Sequence, residues 1–493
     1  MIWREGQGKR AVIVGAGLGG LGAAIKLREA GHEVTLIERE PSVGGTWYKN
    51  RYPGCACDVQ VALYQFSFAM RPDWTRLYPQ QEELLQYARS LVEEFDLERD
   101  LFLGEEAVET KWDERLSQWR VTTASGKEFE GEILVPALGQ LDRPAWPAIE
   151  GVGQFDGPEM HSAQWDDAVE WAGRRIGIIG SAASAVQIVP EVAKTAAQVV
   201  MFQRSPNWVR PRGDRPISEA ERRMLATDSK AAARLARLYR QHMYETSDIF
   251  LWKAFEYTPE GREHYTEEAL SHLANQVDDD RLRQALTPDY PLACRRVLNS
   301  DEIYPALQQE NVQLETGPIA RIAKDGVELE DGSKHDLDIL AYATGYETTG
   351  WRWSLDVLGK NGQSLRDVWE AAPRAHLGIM VPGFPNMFVL YGPNTNLGHN
   401  SITFMLECQI KFIVTALKEL NRRSARQIEP TVEALEEFDR DLQTKLANTT
   451  WADPACNSWY KTRDGRITQN WGDHTRAYAQ RTSALDVSEY LFA

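Results

Sequence analysis

Residues 11–38, AVIVGAGLGGLGAAIKLREAGHEVTLIE, leave this chain few folds to choose from. The apolar run at 11–14 is short enough for a strand buried on both faces of a parallel sheet. Gly15, Gly17 and Gly20 follow in G-x-G-x-x-G spacing, and an amphipathic stretch with Leu21, Ala24, Ile25 and Leu27 predicts a helix. A second strand is expected at 34–37, ending in Glu38. Chemistry asks for these types in this order. Gly15 permits the tight turn, Gly17 lets the backbone approach a pyrophosphate, and Gly20 lets helix and strand close on each other. The helix N-terminus then faces phosphate, and Glu38 can accept a bond from a ribose hydroxyl. Such a β-α-β unit binds a dinucleotide; the unit alone leaves FAD and NAD both open.

A second unit follows the same plan. Strands are expected at 175–179 and 199–203, flanking a GSAASA turn that opens on Gly180 and Ser181 and a helix through Val186, Ile188 and Val189. Ala182 and Ala185 replace the second and third glycines, and Ala182 carries a Cβ where backbone approaches pyrophosphate. Where an NAD site carries an acid, this chain has Arg204 followed by Ser205. A guanidinium there favours a 2′-phosphate, hence NADPH.

The 493 residues give room for roughly three domains, with 43% hydrophobic and 26% charged residues. A net charge of −17 argues against nucleic acid or an anionic membrane as partner. No apolar run reaches the roughly 18 residues of a membrane span. MIWREGQGKR lacks an apolar signal core, so a cytoplasmic location is expected. The five cysteines suggest a reducing compartment rather than a disulfide framework. Cys55 and Cys57 lack the second pair or histidines of a metal site, and no metal is expected.

Between these units the sequence becomes specific. Residues 41–59, PSVGGTWYKNRYPGCACDV, predict an irregular aromatic and glycine-rich loop beside the first nucleotide site. Residues 155–167, FDGPEMHSAQWDD, fit F-x-G-x-x-x-H-x-x-x-W followed by Pro or Asp at Phe155, Gly157, His161, Trp165 and Asp166. Together with PLACRRVLNSDEIYPAL at 291–307, the A-T-G-Y turn at 343–346 and CNSWYKTRDGRITQNWG at 456–472, they resemble class B flavoprotein monooxygenases of the type I Baeyer–Villiger group. The resemblance covers nearly the whole chain.

The resemblance implies an α/β fold of two interleaved Rossmann-like domains, one for FAD and one for NADPH, with a helical insertion. The FAD domain would comprise residues 1–148 and 381–493, the NADPH domain 149–211 and 291–380, and the insertion 212–290. It assigns Gly15, Gly17, Gly20 and Glu38 to FAD, puts Thr46, Trp47 and Asp58 at the flavin with Tyr64 behind, and sets the Val108 backbone near the adenine. Gly180, Ser181, Arg204, Ser205 and Arg295 fall on the NADPH site. Arg296 falls on the active-site arginine, with Asp58 orienting it and Trp459 in reach, while His161 couples the domains. The implied reaction is reduction of FAD by NADPH, formation of a C4a-peroxide with O₂, and its attack on a small-molecule ketone to give an ester or lactone. Oxygenation of nitrogen or sulfur remains an alternative, because YPGCACDV also resembles flavin-containing monooxygenases. So does a non-catalytic nucleotide sensor, should Ala182 spoil hydride delivery. A flavin disulfide reductase needs a C-x-x-C or C-x₄-C pair near the flavin, and Cys55 and Cys57 supply only C-x-C. Oligomeric state is not legible.

In the remaining chain, helices are expected at 82–96, 220–244, 267–286 and 401–420, a β-meander at 106–130, and strands at 133–138, 312–314, 326–329 and 388–391. The insertion's aromatics, among them Tyr244, Trp252, Phe255 and Tyr257, are expected either in its core or along a substrate entry.

Overall fold

The computed structural model describes residues 8–222, 229–256, 259–348, 353–370 and 372–493. The first sheet is parallel, in the order β3-β2-β1-β7, from β1 (Arg10–Val14), β2 (Glu33–Glu38), β3 (Leu101–Leu103) and β7 (Ile133–Pro136). Val12 lies between Thr35 and Leu134 across the ladder, and residues 11–14 are all buried, which explains their unbroken apolar run. The helix α1 (Leu18–Glu29) packs on this sheet. A Cβ on Gly20 would stand 1.8 Å from the Gly15 carbonyl oxygen, so helix and turn meet only through glycine. The loop after β2 contains one helical turn, α2 (Thr46–Lys49), which its glycine and aromatic content did not announce. It leads to α3 (Gln81–Glu94).

The expected meander is antiparallel: β4 (Ala107–Asp113), β5 (Gln118–Thr123) and β6 (Glu128–Gly131). The register shifts between Ala107 and Glu109, so Val108 is the residue that the ladder skips. Trp119 is fully buried and donates through Nε1 to the Pro385 carbonyl at 2.8 Å, tying the meander to the late chain.

The second sheet is also parallel, in the order β13-β10-β9-β17-β8. It comprises β8 (Glu159–His161), β9 (Arg175–Ile179), β10 (Gln198–Phe202), β13 (Val312–Glu315) and β17 (Ile339–Tyr342). α4 (Ala185–Val192) follows its glycine turn. The short strands β11 (Val209–Arg210) and β12 (Leu298–Asn299) pair in parallel as a separate sheet. An antiparallel trio, β14 (Ile319–Ala323), β15 (Gly326–Leu329) and β16 (Lys334–Asp336), includes two strands that alternation did not reveal.

The two units are built alike at one point. Gly15 has φ +105° and a Cβ there would lie 2.6 Å from the Ala137 carbonyl oxygen; Gly180 has φ +119° and would meet the Ala343 oxygen at 2.4 Å. Ala137 follows β7, where the chain leaves the first unit. Ala343 follows β17, where it leaves the second. The return completes the first sheet. Phe388 donates to the Leu134 carbonyl and Leu390 to that of Pro136, each at 2.9 Å. The strand expected at 388–391 is confined to these bonds, because Tyr391 turns off at φ +54°.

The insertion contains helices Ser229–Thr246, Pro259–Gln276 and Asp280–Leu286. Residues 223–228 of the first expected helix, and Tyr257, lie outside the described residues. The stretch expected to be one helix over 267–286 is two, because Asp279 accepts the Leu282 amide at 2.7 Å and caps a fresh start. Trp252 and Phe255 are buried in a core with Trp451 and Tyr460. Arg240, whose side chain is only 6% exposed, pairs with Glu407 of the helix Ile402–Arg422 at 2.8 Å. Glu407 also accepts from Ser67 N–H at 2.7 Å and Ser67 Oγ at 2.6 Å.

The cysteine reading is corrected. Cys294 and Cys456 form a disulfide with Cα atoms 5.3 Å apart, while Cys55, Cys57 and Cys408 are free. A separation of 162 residues leaves no local signature of such a pairing. Among the described residues, no helix is long and apolar enough to cross a membrane.

Removing one partner from a buried ion pair strands the other. Glu407→Ala should lower stability by about 3 kcal/mol, read as a lower urea midpoint, whereas Arg240→Met with Glu407→Leu should recover most of it.

Candidate active site

A cleft runs along the C-terminal ends of the first sheet, lined by Gly15, Gly17, Glu38, the loop at 44–47, Tyr64 and the crossing at 137–143. With the solvent at its mouth it encloses about 1340 Å³. Glu38 is fixed by its own turn: Oε2 accepts from Ala16 N–H at 2.7 Å and Oε1 from Glu40 N–H at 2.9 Å. Burial pushes its carboxyl above the ordinary range despite these two amides. Each oxygen retains a lone pair for a hydroxyl. Gly44 donates to the Ala16 carbonyl at 3.0 Å, and Gly45, at φ +54°, lies against Gly17. Trp47 meets Tyr64 edge-on, with ring centroids 5.6 Å apart. This glycine-lined cradle, with an acid at one side and aromatic walls, fits a dinucleotide carrying a flat ring.

Val108 is absent from the lining; Glu105, Glu106 and Ala107 border the cleft instead. The sequence also concealed an ion cluster at the mouth. Asp142 of the crossing pairs with Lys49 at 2.8 Å and with Arg39. Burial pushes the Asp142 carboxyl up, but the two cations prevail and hold it below the usual range.

At the second glycine turn, Ser181 Oγ donates to the Ser205 carbonyl at 3.0 Å, and Asn207 Nδ2 donates to the Ser181 carbonyl at 2.9 Å. Arg295 Nη1 reaches Ser205 Oγ at 2.8 Å, its guanidinium lying 4.4 Å from the centroid of Tyr290. Gly180, Ser181, Ser205 and Arg295 thus gather at one place, with Asn207 and Tyr290 as supports that no motif signalled. Arg204 is exposed and has no side-chain partner among the described residues. Ala182 is exposed as well, and its carbonyl accepts the Val186 amide at 3.0 Å.

A charge pair is drawn from distant parts of the chain. Arg296 Nε donates to Asp58 Oδ2 at 2.7 Å, and Nη2 lies 2.5 Å from the same oxygen. Asp58 raises the guanidinium pKa further above its ordinary value, against the opposing effect of burial. The Arg296 side chain keeps 40% of its surface exposed and can face a reactant. Arg212 Nη2 holds the Cys57 carbonyl at 3.1 Å, and β12 fixes the backbone just beyond Arg296. Tyr460, whose phenol burial pushes up to about 12, borders the pair, and the Trp459 ring lies 4.5 Å from the Tyr460 ring.

His161 is buried between the crossings. Nδ1 accepts the Ala163 amide at 3.0 Å, Nε2 lies 3.3 Å from Thr344 Oγ1, and burial lowers its pKa to about 4. A neutral, fully bonded imidazole fits a coupling residue rather than a proton donor. Gly157 is sterically required nearby, because its Cβ would stand 2.5 Å from the Asp338 carbonyl oxygen.

Two parallel sheets, each closed by a glycine turn and sharing an arginine–carboxylate pair, define an oxidoreductase built on two dinucleotide sites. The family described as pyridine nucleotide-disulphide oxidoreductase matches residues 12–234. The FAD-binding monooxygenase ktnD of Aspergillus niger is 37% identical over 499 residues, covering 97% of this chain and 81% of that protein. A Baeyer–Villiger monooxygenase of Pseudomonas aeruginosa is 36% identical over 483 residues, covering 98% and 91%. A solved steroid monooxygenase bound to NADP superposes with a TM-score of 0.88 at 29% identity, covering 98% and 99%. The chain belongs to the Baeyer–Villiger monooxygenase family of flavoproteins.

The depressed His161 pKa gives stability a direction with pH. The unfolded chain takes up this proton near pH 6.5 and the folded one only near 4, so stability is lost as pH falls through that window. The loss is on the order of 2–3 kcal/mol. Urea midpoints at pH 7.5 and 5 should converge less in the parent protein than in His161→Gln, which cannot take up the proton.

Proposed function

We propose that this protein is an NADPH- and O₂-dependent flavin monooxygenase that inserts one oxygen atom beside the carbonyl of a small-molecule ketone, yielding an ester or lactone. The other oxygen atom leaves as water, with NADPH supplying two electrons. The observation that carries this reading is the Asp58–Arg296 pair, held at 2.7 Å beside the first dinucleotide cleft. FAD supplies the oxygen chemistry when bound, and NADPH the hydride.

The protein's part is placement and charge. Gly15, Gly17 and Gly20 bare the backbone to a pyrophosphate, and Glu38 takes a ribose hydroxyl. Thr46, Trp47, Asp58 and Tyr64 border the flavin ring, with the Val108 region toward the adenine. Gly180, Ser181, Ser205 and Arg295 hold the second nucleotide. The unpaired charge of Arg204 suits a 2′-phosphate. In this division, residues 1–148 and 381–493 form the FAD domain, 149–211 and 291–380 the NADPH domain, and 212–290 the insertion. Arg296 is charged at every working pH and stabilises negative charge as it develops on oxygen. Asp58 keeps the guanidinium aimed, so that no reorganisation is needed during the reaction.

Arg296→Ala should lower ketone conversion by about 10²–10³-fold while anaerobic flavin reduction by NADPH largely survives. Stopped-flow reduction followed by product analysis separates the two, and ester formation at the parent rate would remove Arg296 from this role. Asp58→Ala should show the same pattern more weakly. Arg204→Ala should cost about tenfold in kcat/KM with NADPH and scarcely alter it with NADH.

A further inference from the structure

Arg296 is held from two directions. Its guanidinium is fixed on Asp58, and its backbone belongs to a segment bonded covalently to the stretch around Cys456. Cys294, two residues before it, forms the disulfide to Cys456, and both cysteines are buried. The same two segments are joined again where Arg295 Nε donates to the Asn457 carbonyl at 3.1 Å. Ala293 has φ +66°, a conformation that a residue with a Cβ keeps only where its surroundings hold it. Trp459 and Tyr460 follow Cys456 by three and four residues, and the Tyr460 ring borders the arginine. The disulfide therefore closes one wall of the site at the point where that wall carries the guanidinium.

We propose that the Cys294–Cys456 bond is a positioning link for Arg296, which keeps oxygen transfer coupled to NADPH consumption and loses that hold when reduced. The proposal rests on the role given to Arg296 above. Forming the link breaks two S–H bonds and makes one S–S bond, releasing two electrons and two protons. Hydrogen peroxide accepts both and leaves as two waters. A dithiol such as dithiothreitol returns them and becomes a cyclic disulfide. Opening the link leaves Asp58, the glycine turns and the bond from Arg295 to Ser205 Oγ in place, so the second nucleotide keeps its partners and hydride transfer has no reason to change. Only the aim of the guanidinium is released, and a displacement of about 1 Å at a reacting centre can cost on the order of 10²-fold.

The test uses FAD-loaded protein purified without reductant. Alkylation in denaturant, read by peptide mass, should find Cys294 linked to Cys456 and label only Cys55, Cys57 and Cys408. Product formed per NADPH consumed is then measured with a ketone panel and with methyl phenyl sulfide. The samples are the intact protein, the dithiothreitol-treated protein and the Cys294→Ser/Cys456→Ser variant. Breaking the link should lower this ratio about tenfold or more, the missing oxygen appearing as hydrogen peroxide, with anaerobic flavin reduction held within about twofold. Reoxidation should restore the treated parent and not the serine variant. In Arg296→Ala, dithiothreitol should cause no further loss, because both changes act through one group. An unchanged ratio after the bond is broken overturns the proposal, and so does labelling of all five cysteines after peroxide treatment. An intact protein that oxidises neither ketone nor sulfide strikes instead at the function proposed for the site, and the positioning role falls with it.

Discussion

Two close approaches of a glycine to a carbonyl organise this molecule. Gly15 lies against the Ala137 oxygen and Gly180 against that of Ala343, each with a positive φ that a side chain resists. These oxygens mark the residues at which the chain leaves one unit for the other. The same contact that shapes each phosphate turn therefore anchors the start of each crossing. A methyl group at either glycine would displace the crossing as well as the turn. His161 and Thr344 meet between the crossings, and Tyr346 reaches Asn50 in the first unit at 2.6 Å. Along the described residues, the crossings are thus packed side chain against side chain.

The part of this arrangement that could be read from sequence is the part written locally. Glycine spacing, apolar runs of strand length and an acid or arginine at the end of the second strand state a β-α-β unit within some thirty residues. The motif at 155–167 is as compact, and its glycine and histidine have the steric and bonding roles that such spacing demands. What the chain hid is either nonlocal or a matter of capping. Asp58 and Arg296 stand 238 residues apart, so their pairing was legible only through likeness to relatives. Cys294 and Cys456 had no such signal, and an odd cysteine count pointed away from any bond between them. Asp279 ends one helix and begins another inside a stretch of uniform periodicity, and the bulge at Val108 moves one residue out of a regular alternation. Asp142 at the cleft, and Asn207 and Tyr290 at the second glycine turn, act through contacts that composition cannot distinguish from an ordinary surface.

At the shared pair, geometry and charge agree. Nε and Nη2 of Arg296 lie on a single Asp58 oxygen, a partly exposed arrangement in which the carboxylate steers the cation. The helix Ile402–Arg422 begins at the cleft, where Ile402 and Leu406 line it, and Ser401 caps its first turn by accepting the Thr403 amide. The positive end of that helix therefore faces the cleft. The buried Arg240–Glu407 pair clamps the helical insertion to this helix, so the insertion is mechanically continuous with the wall of the cleft.

The closing of the first sheet by residues 388–390 has a consequence for how the polypeptide is made. A ribosome releases β1, β2, β3 and β7 early, yet the edge of β7 finds its backbone partners only after the whole second unit has emerged. The second sheet suffers no such delay, because its strands all lie between residues 159 and 342. During synthesis the later-encoded unit is therefore the first that can complete its hydrogen bonding. The N-terminal half waits with an open edge, the state in which strands pair with the wrong neighbour. Slow translation of the segment just before residue 388 would lengthen that wait, and fragments ending there would aggregate rather than fold into a smaller flavoprotein.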